Sequence, residues 1–337
     1  MRHLVESAFT ATILTLLFAP ASSFAQAPAT KKAWTPPRTP DGQPDLQGVW
    51  TNNTVTPLER PKGLGAKEFY NESELAAAIE KERKRLGQAE EEGRGTEPGT
   101  AADVHYDFSQ FGLDRAQANL AWNRRTSIIV GPEGLIPPLT PEALKRRAER
   151  RAKVKGHEFD GAESLSLSAR CIARPNVGPP LLPAAYNSNL QIVQAAGYVV
   201  IESEMIHDAR MIPTDGRPHL DKNIKQWMGD SVGHWEGNTL VVDTTNFTEL
   251  NPYVDAQNLH VVERLTRVDA DTVLYQFTVE DPGMWTKPWS GELAMTRLQG
   301  QIYEYACHEA NYGLANTLSG ARATEAEAAK KAAAERK

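Results

Sequence analysis

Between residues 198 and 212 the chain reads YVVIESEMIHDARMI, which sets Glu202, Glu204, His207, Asp208 and Arg210 into a stretch otherwise made to be buried. A charge taken out of water needs a partner or a function, because its desolvation costs more than an isolated contact returns. Extended backbone sends alternate side chains to opposite faces. One strand, or two joined in register, would therefore carry Glu202, Glu204, Asp208 and Arg210 on one face. His207 would share the other with Ile201, Met205, Ala209 and Met211. Such a pattern suits proton transfer: His207 moves the proton, Asp208 or Glu304 orients a histidine, and Arg210 stabilises developing negative charge. It equally suits a core histidine bonded to a backbone carbonyl beside an Asp208–Arg210 ion pair.

Further ionisable groups fall near the ends of strand-like runs, where the mouth of a barrel lies. They are His260, Glu263 and Arg264 in HVVERL, Glu280 and Asp281 before a Pro-Gly turn, and Glu304 with His308 in YEYACHE. Apolar walls with a few convergent polar groups describe a small-molecule site. His207, Asp208, Arg210, Glu304 and His308 are thus the catalytic candidates. His260, Tyr275, Phe277, Trp285, Trp289 and Tyr305 are the candidates for holding a ligand, although core packing would use the same aromatics.

Other patterns point away from familiar chemistries. GDSVG at 229–233 has the Gly-x-Ser-x-Gly spacing of a nucleophile elbow, but a turn and a strand follow it where the elbow needs a helix. Ser231 is therefore expected in a hairpin turn built by Gly and Asp. HEANY at 308–312 begins like a zinc-protease motif and has Tyr312 in place of the second histidine. No metal site is expected from spacing alone, although His207, His260 and His308 could converge from separate strands. Without a Gly-rich phosphate cradle no organic cofactor is expected. Asn52-Asn53-Thr54 and Asn246-Phe247-Thr248 fit the glycosylation sequon.

The 337 residues are 40% hydrophobic and 24% charged, the composition of a globular protein with a substantial core rather than a disordered chain. A net charge of -6 argues against nucleic acid as a partner, since phosphate binding rests on clustered Lys and Arg. The opening MRHLVESAFTATILTLLFAPASSFAQ reads as a signal peptide cleaved after Ala25, with an apolar run too short to span a membrane. A periplasmic or secreted location follows, and no other segment reads as transmembrane. In such an oxidising compartment the two cysteines, Cys171 and Cys307, are expected to form a disulfide; the rival is a reactive Cys307 beside His308.

The elements that must position these residues follow from pattern. A signal peptide covers 1–25, and a Pro-rich arm with a first strand at 46–52 covers 26–65. A helical and hairpin region covers 66–160: one helix over 71–86, a polar Gly-rich loop, an apolar hairpin in TSIIVGPEGLIPPL, and a basic helix opened by Thr140-Pro141. From 161 to 318 the period is that of strands, with turns at Ala196-Gly197, Asp269–Asp271 and Gln299-Gly300. Residues 319–337 read as a solvent-exposed helical tail. A long antiparallel meander must cover or close its edges, and closure removes them. The expected fold is mainly β, an up-and-down calycin-like barrel with N-terminal helical additions.

Two resemblances accompany this reading. Gly48-Val49-Trp50 resembles the opening strand of lipocalin-type barrels, in which the Trp closes the barrel floor. RTPDGQPDLQGVW, IPPLTPEA, GDSVGHWEGNTLVVDTTNF, VEDPGMWTKPW and YEYACHE resemble a family of secreted bacterial proteins whose activity is uncharacterised, so the likeness implies membership and no function. The expectation is a barrel acting on a small apolar molecule by cofactor-free acid/base chemistry, of isomerase, hydratase or lyase type. The alternative is a non-catalytic carrier of a hydrophobic ligand.

Overall fold

Among the described residues nine antiparallel strands follow one another through most of the sheet, in the order β4-β3-β2-β1-β9-β8-β7-β6-β5. The computed structural model describes residues 34–93, 123–174, 176–184, 186–249, 258–309 and 311–336. The expected signal peptide lies outside these residues, and the fold is that of the compact unit Thr35–Lys337. Strands β1 (Gly48–Thr51), β2 (Asn189–Ala195), β3 (Tyr198–Ser203) and β4 (Asp208–Pro213) make one half of the barrel. Strands β5 (Asp230–Glu236), β6 (Thr239–Thr245), β7 (His260–Arg267), β8 (Thr272–Glu280) and β9 (Trp289–Arg297) make the other.

The first and last strands, β1 and β9, pair with each other, which leaves the barrel's remaining gap in mid-chain between β4 and β5. Those two edges lie side by side without a hydrogen-bonded register among the described residues. Side chains close part of the gap: a Cβ on Gly233 would lie 2.9 Å from Ile212 and 3.2 Å from Thr214. The barrel is nearly closed, an arrangement compatible with a calycin-like fold.

Alternation puts the core inside. Along β7 and β8 every second residue is buried: Val261, Leu265, Val273, Tyr275, Phe277 and Val279 join one apolar cluster with Trp50, Leu190 and Ile201, and Glu263 and Arg267 are the buried charges between them. Gly291 on β9 is required by this packing, because a Cβ there would meet the Phe277 ring at 2.2 Å. At the Gly-x-Trp stretch, Trp50 is fully buried and its Nε1 donates to Leu46 O at 2.9 Å. The Arg297 and Arg267 guanidiniums stand 4.6 and 5.6 Å from its ring. A side chain on Gly48 would strike Arg297 Nη1 at 2.7 Å, which explains the glycine two residues before the tryptophan.

Helix α1 spans Glu72–Gly93, longer than expected, because Gly87 continues the helix instead of ending it. The rest of the Gly-rich loop, 94–122, lies outside the described residues. Helix α2 (Pro141–Val154) is capped by Thr140, whose side chain accepts from Ala143 N. The tail helix α3 begins at Tyr312 and runs to Ala334, with the Asn311 side chain accepting from Leu314 N.

Four local expectations are corrected. TSIIVGPEGLIPPL makes no strand hairpin; it lies along β9 and beyond, with bridges Ile129–Gly291 and Leu139–Trp285, since the sheet offers its apolar residues better partners than each other. YEYACHE forms no strand, because β9 ends at Arg297 and no neighbouring edge remains for it to pair with among the described residues. GDSVG is not a turn: Ser231 lies within β5, and the hairpin turn is Gly237-Asn238, with Gly237 at φ 61° as a tight two-residue turn requires. Residues 198–212 form a hairpin broken by a short 3-10 turn at Met205–His207, so the faces do not continue in register across it.

Candidate functional site

The unpaired seam between β4 and β5 opens into a cleft of about 690 Å³. Its walls come from the tight turn before β4, from β4 itself, from the end of segment 214–229 and from the first residues of β5. The turn places Ile206 at φ 65° and His207 at φ 60°. Left-handed backbone at a β-branched residue costs about 1–3 kcal/mol and persists only where surrounding contacts impose it. Its consequence here is to swing His207 and Asp208 onto the cleft wall beside Arg210.

His207 is not set among apolar side chains. It is 45% exposed, and its Nε2 lies 3.2 Å from Glu202 Oε1, a carboxylate brought across by the hairpin. Burial pushes the Asp208 carboxyl above its ordinary value of 3.8, against the opposing pull of Arg210 and of the Ala209 N–H. A carboxyl whose folded pKa is raised stabilises the fold in its protonated form. That contribution is complete below 3.8 and is lost as pH rises through the raised value. Asp208→Asn is therefore expected to increase stability near neutral pH, with the gain vanishing as the pH falls toward 3.8. Urea unfolding at about pH 7 and about pH 4 measures this, and a gain that grows on acidification would contradict burial as the cause.

Arg210 is only 8% exposed and anchors the inner wall. Its Nη2 donates to Glu263 Oε2 at 2.7 Å, and the Tyr275 hydroxyl donates to Glu263 Oε1 at 2.7 Å. The Tyr275 oxygen in turn accepts from Leu181 N at 2.8 Å. Burial, reinforced by the Glu263 carboxylate, holds the Tyr275 phenol well above its ordinary 10, so it stays a donor. Arg210 Nε and Nη1 are buried without a hydrogen-bond partner among the described residues.

The other sequence candidates are dispersed. Glu304 and His308 are exposed in the irregular stretch after β9, and among the described residues no hydrogen bond joins Glu304 to a histidine. His260 stands on the outer face of β7, where its Nε2 contacts Asp243 Oδ2 at 2.9 Å. Tyr275 and Phe277 fill the barrel core, where their rings pack 5.7 Å apart. Trp285 and Trp289 pack edge to face at 5.6 Å, and Tyr305 stacks on Tyr186 at 6.5 Å. His207, His260 and His308 thus occupy three different surroundings, and no group of three potential ligands is arranged to hold a metal among the described residues. Cys171 and Cys307 are joined by a disulfide, which leaves no reactive Cys307 thiol. Ser231 is buried in β5 with its Oγ 2.9 Å from Thr244 Oγ1, and no helix follows it. The sequon residues Asn52 and Asn246 are both buried, so neither side chain is presented for glycosylation in the folded chain.

Sequence reasoning missed a polar cluster beside the cleft. His219, in segment 214–229, places Nδ1 2.9 Å from Asp230 Oδ2 and Nε2 3.0 Å from Asp243 Oδ1. The alternation of β5, β6 and β7 puts Asp230, Asp243 and His260 on the outer face, a signal available in the sequence. His219 belongs to no periodic element, and nothing local marked it.

No protein-family model matches the chain, and no curated protein matches it. The likeness to a secreted family therefore gains no support, and the calycin-like description rests on barrel geometry. No helix among the described residues is long and apolar enough to cross a membrane.

Proposed function

We propose that the chain binds a small, largely apolar molecule in the β4–β5 cleft and moves a proton on it without an organic cofactor, as isomerases, hydratases and lyases do. The observation that carries this reading is the meeting of His207, Asp208 and Arg210 on one cleft of about 690 Å³. That volume suits a small ligand, for which sites of roughly 300–1,000 Å³ are usual. Ile172, Ile206, Trp227 and Met228 supply the apolar part of the wall. His207 serves as the base, with Glu202 rather than Glu304 holding the imidazole. Asp208, desolvated enough to keep a proton more readily than an open carboxyl, offers a second place for it. Arg210, bound to Glu263 at the inner wall of the cleft, lends positive charge near the place where negative charge develops when the proton leaves.

The carrier alternative draws less support. Among the described residues the barrel interior is filled by Trp50, Tyr275, Phe277, Leu190 and their neighbours, so a ligand is better placed in the cleft, beside ionisable groups.

Two measurements test the reading. The neutral dye N-phenyl-1-naphthylamine is expected to bind saturably at one site, and Trp227→Ala to weaken it about tenfold or more by removing the aromatic wall. Exchange of α-protons for deuterium in a panel of aryl ketones, followed by NMR, is expected to fall about a hundredfold or more in His207→Gln. Dye affinity unchanged by Trp227→Ala sinks the cleft. Exchange that survives His207→Gln sinks the proton-transfer role.

A further inference from the structure

Segment 214–229 joins the two seam strands, and its last residues, Lys225 to Gly229, form one wall of the cleft. Few backbone bonds hold it. Gln226 N donates to Asn246 O at 2.9 Å, Thr248 N donates to Gln226 O at 2.9 Å, and the Asn246 side chain donates to Leu220 O at 3.0 Å. At the β4 end Thr214 N donates to Gly197 O at 2.8 Å and Arg217 Nη2 donates to the Tyr198 hydroxyl at 2.7 Å, while toward β5 the anchorage is His219 and its neighbour: Leu220 N donates to Asp230 Oδ2 at 2.9 Å, the oxygen that also meets His219 Nδ1.

The charged groups facing His219 are Asp230 from β5 and Asp243 from β6, with His260 from β7 on the far oxygen of Asp243. Among the described residues no Lys or Arg pairs with either carboxylate. Ionised carboxylates only accept hydrogen bonds, and a neutral imidazole has one N–H to donate. Both contacts of His219 are therefore donated at once only by the imidazolium. Without its second proton, one ring nitrogen turns a lone pair toward a carboxylate oxygen about 3 Å away, and that contact becomes repulsive.

We infer that His219 is a positioning residue of the cleft, clamping segment 214–229 to β5 and β6 as an imidazolium held between Asp230 and Asp243. The inference rests on the cleft being the binding site, as proposed above. Ligand affinity is then coupled to pH through a residue that touches no ligand: acid closes the clamp, and alkali opens it. Asp230 belongs to both structures, since it lines the cleft and accepts from His219.

The test follows amide protection factors of Gln226 and Thr248 by NMR hydrogen exchange between about pH 5 and about pH 8, alongside dye affinity for N-phenyl-1-naphthylamine, whose charge is constant there. Both quantities are expected to fall about tenfold or more as the pH rises, the scale of one charge-assisted hydrogen bond. His219→Gln, which makes only a neutral contact, is expected to show low protection and weak dye binding at every pH. His219→Lys keeps a cation between the carboxylates and is expected to hold protection high across the range; it also serves if the Gln variant fails to fold. Protection that does not change with pH in the wild type, or a pH dependence retained in His219→Gln, overturns the clamp. Protection that changes as expected while dye affinity ignores pH overturns the cleft reading and leaves the clamp standing.

Discussion

Glu263→Ala is expected to destabilise the fold by about 3–5 kcal/mol, the usual cost of leaving one member of a buried ion pair alone. Glu263 is 0% exposed and accepts from Arg210 and from Tyr275. Its removal strands a guanidinium whose Nε and Nη1 already lack partners, and it leaves the Tyr275 hydroxyl with no acceptor for its proton. Water cannot fully compensate, because Glu263 and Tyr275 are fully buried and Arg210 Nε and Nη1 are enclosed. The double variant Arg210→Met with Glu263→Leu removes both charges and is expected to recover most of the loss, since well-packed apolar replacements of a buried pair are often neutral or better. Urea denaturation of the three proteins decides it. A loss under about 1 kcal/mol for Glu263→Ala would mean that solvent reaches the pair and that the cleft extends into the barrel.

Loss of the Cys171–Cys307 disulfide has an expected cost of about 5 kcal/mol in the chain-entropy model, because the bond closes a loop with a sequence separation of 136. Here the bond does more than shorten the unfolded chain. The stretch after β9 has no strand pairing among the described residues, and besides the disulfide it is tied to the 169–171 turn by Asn311, whose Nδ2 donates to Ala169 O at 2.8 Å. Ile172, next to the bonded Cys171, lines the cleft. Cys171→Ser with Cys307→Ser is therefore expected to lower both the unfolding midpoint in urea and the dye affinity. Intact mass with and without reductant establishes the bond in isolated protein. A double variant as stable as the parent would show that the terminal stretch is held by packing alone.

The strands were legible because their signal is local. A period of two across 190–195, 260–267 and 272–280 follows from one face lying in the core, and Ala196-Gly197 and Asp269–Asp271 permit the reversals between neighbours. Trp50 was legible only through the resemblance of Gly48-Val49-Trp50 to a lipocalin-type opening strand, and the room that Gly48 leaves for Arg297 is a tertiary contact. YEYACHE carries β-type residues too, yet it stays irregular, since a strand needs a free edge within reach and β9, the strand it follows, already has β8 and β1 on its two sides. TSIIV met the opposite fate and found its partner in β9, far along the chain.

Sequence by itself determined the class of fold, the alternation that buries Tyr275 and Phe277, and the presence of His207, Asp208 and Arg210 in one short stretch. Those features depend on backbone period and on residue type, which act over a few residues. Tertiary structure alone decided which carboxylate meets which base. Glu202 replaced Glu304 beside His207 because a two-residue left-handed turn reversed the chain between β3 and β4. Glu263 met Arg210 across the barrel, and Asp230 and Asp243 closed on His219, through contacts spanning from 11 to 53 residues of sequence. The position of the cleft was decided in the same way: it lies where β4 and β5 fail to pair, and sheet closure is a property of all nine strands together rather than of any one of them.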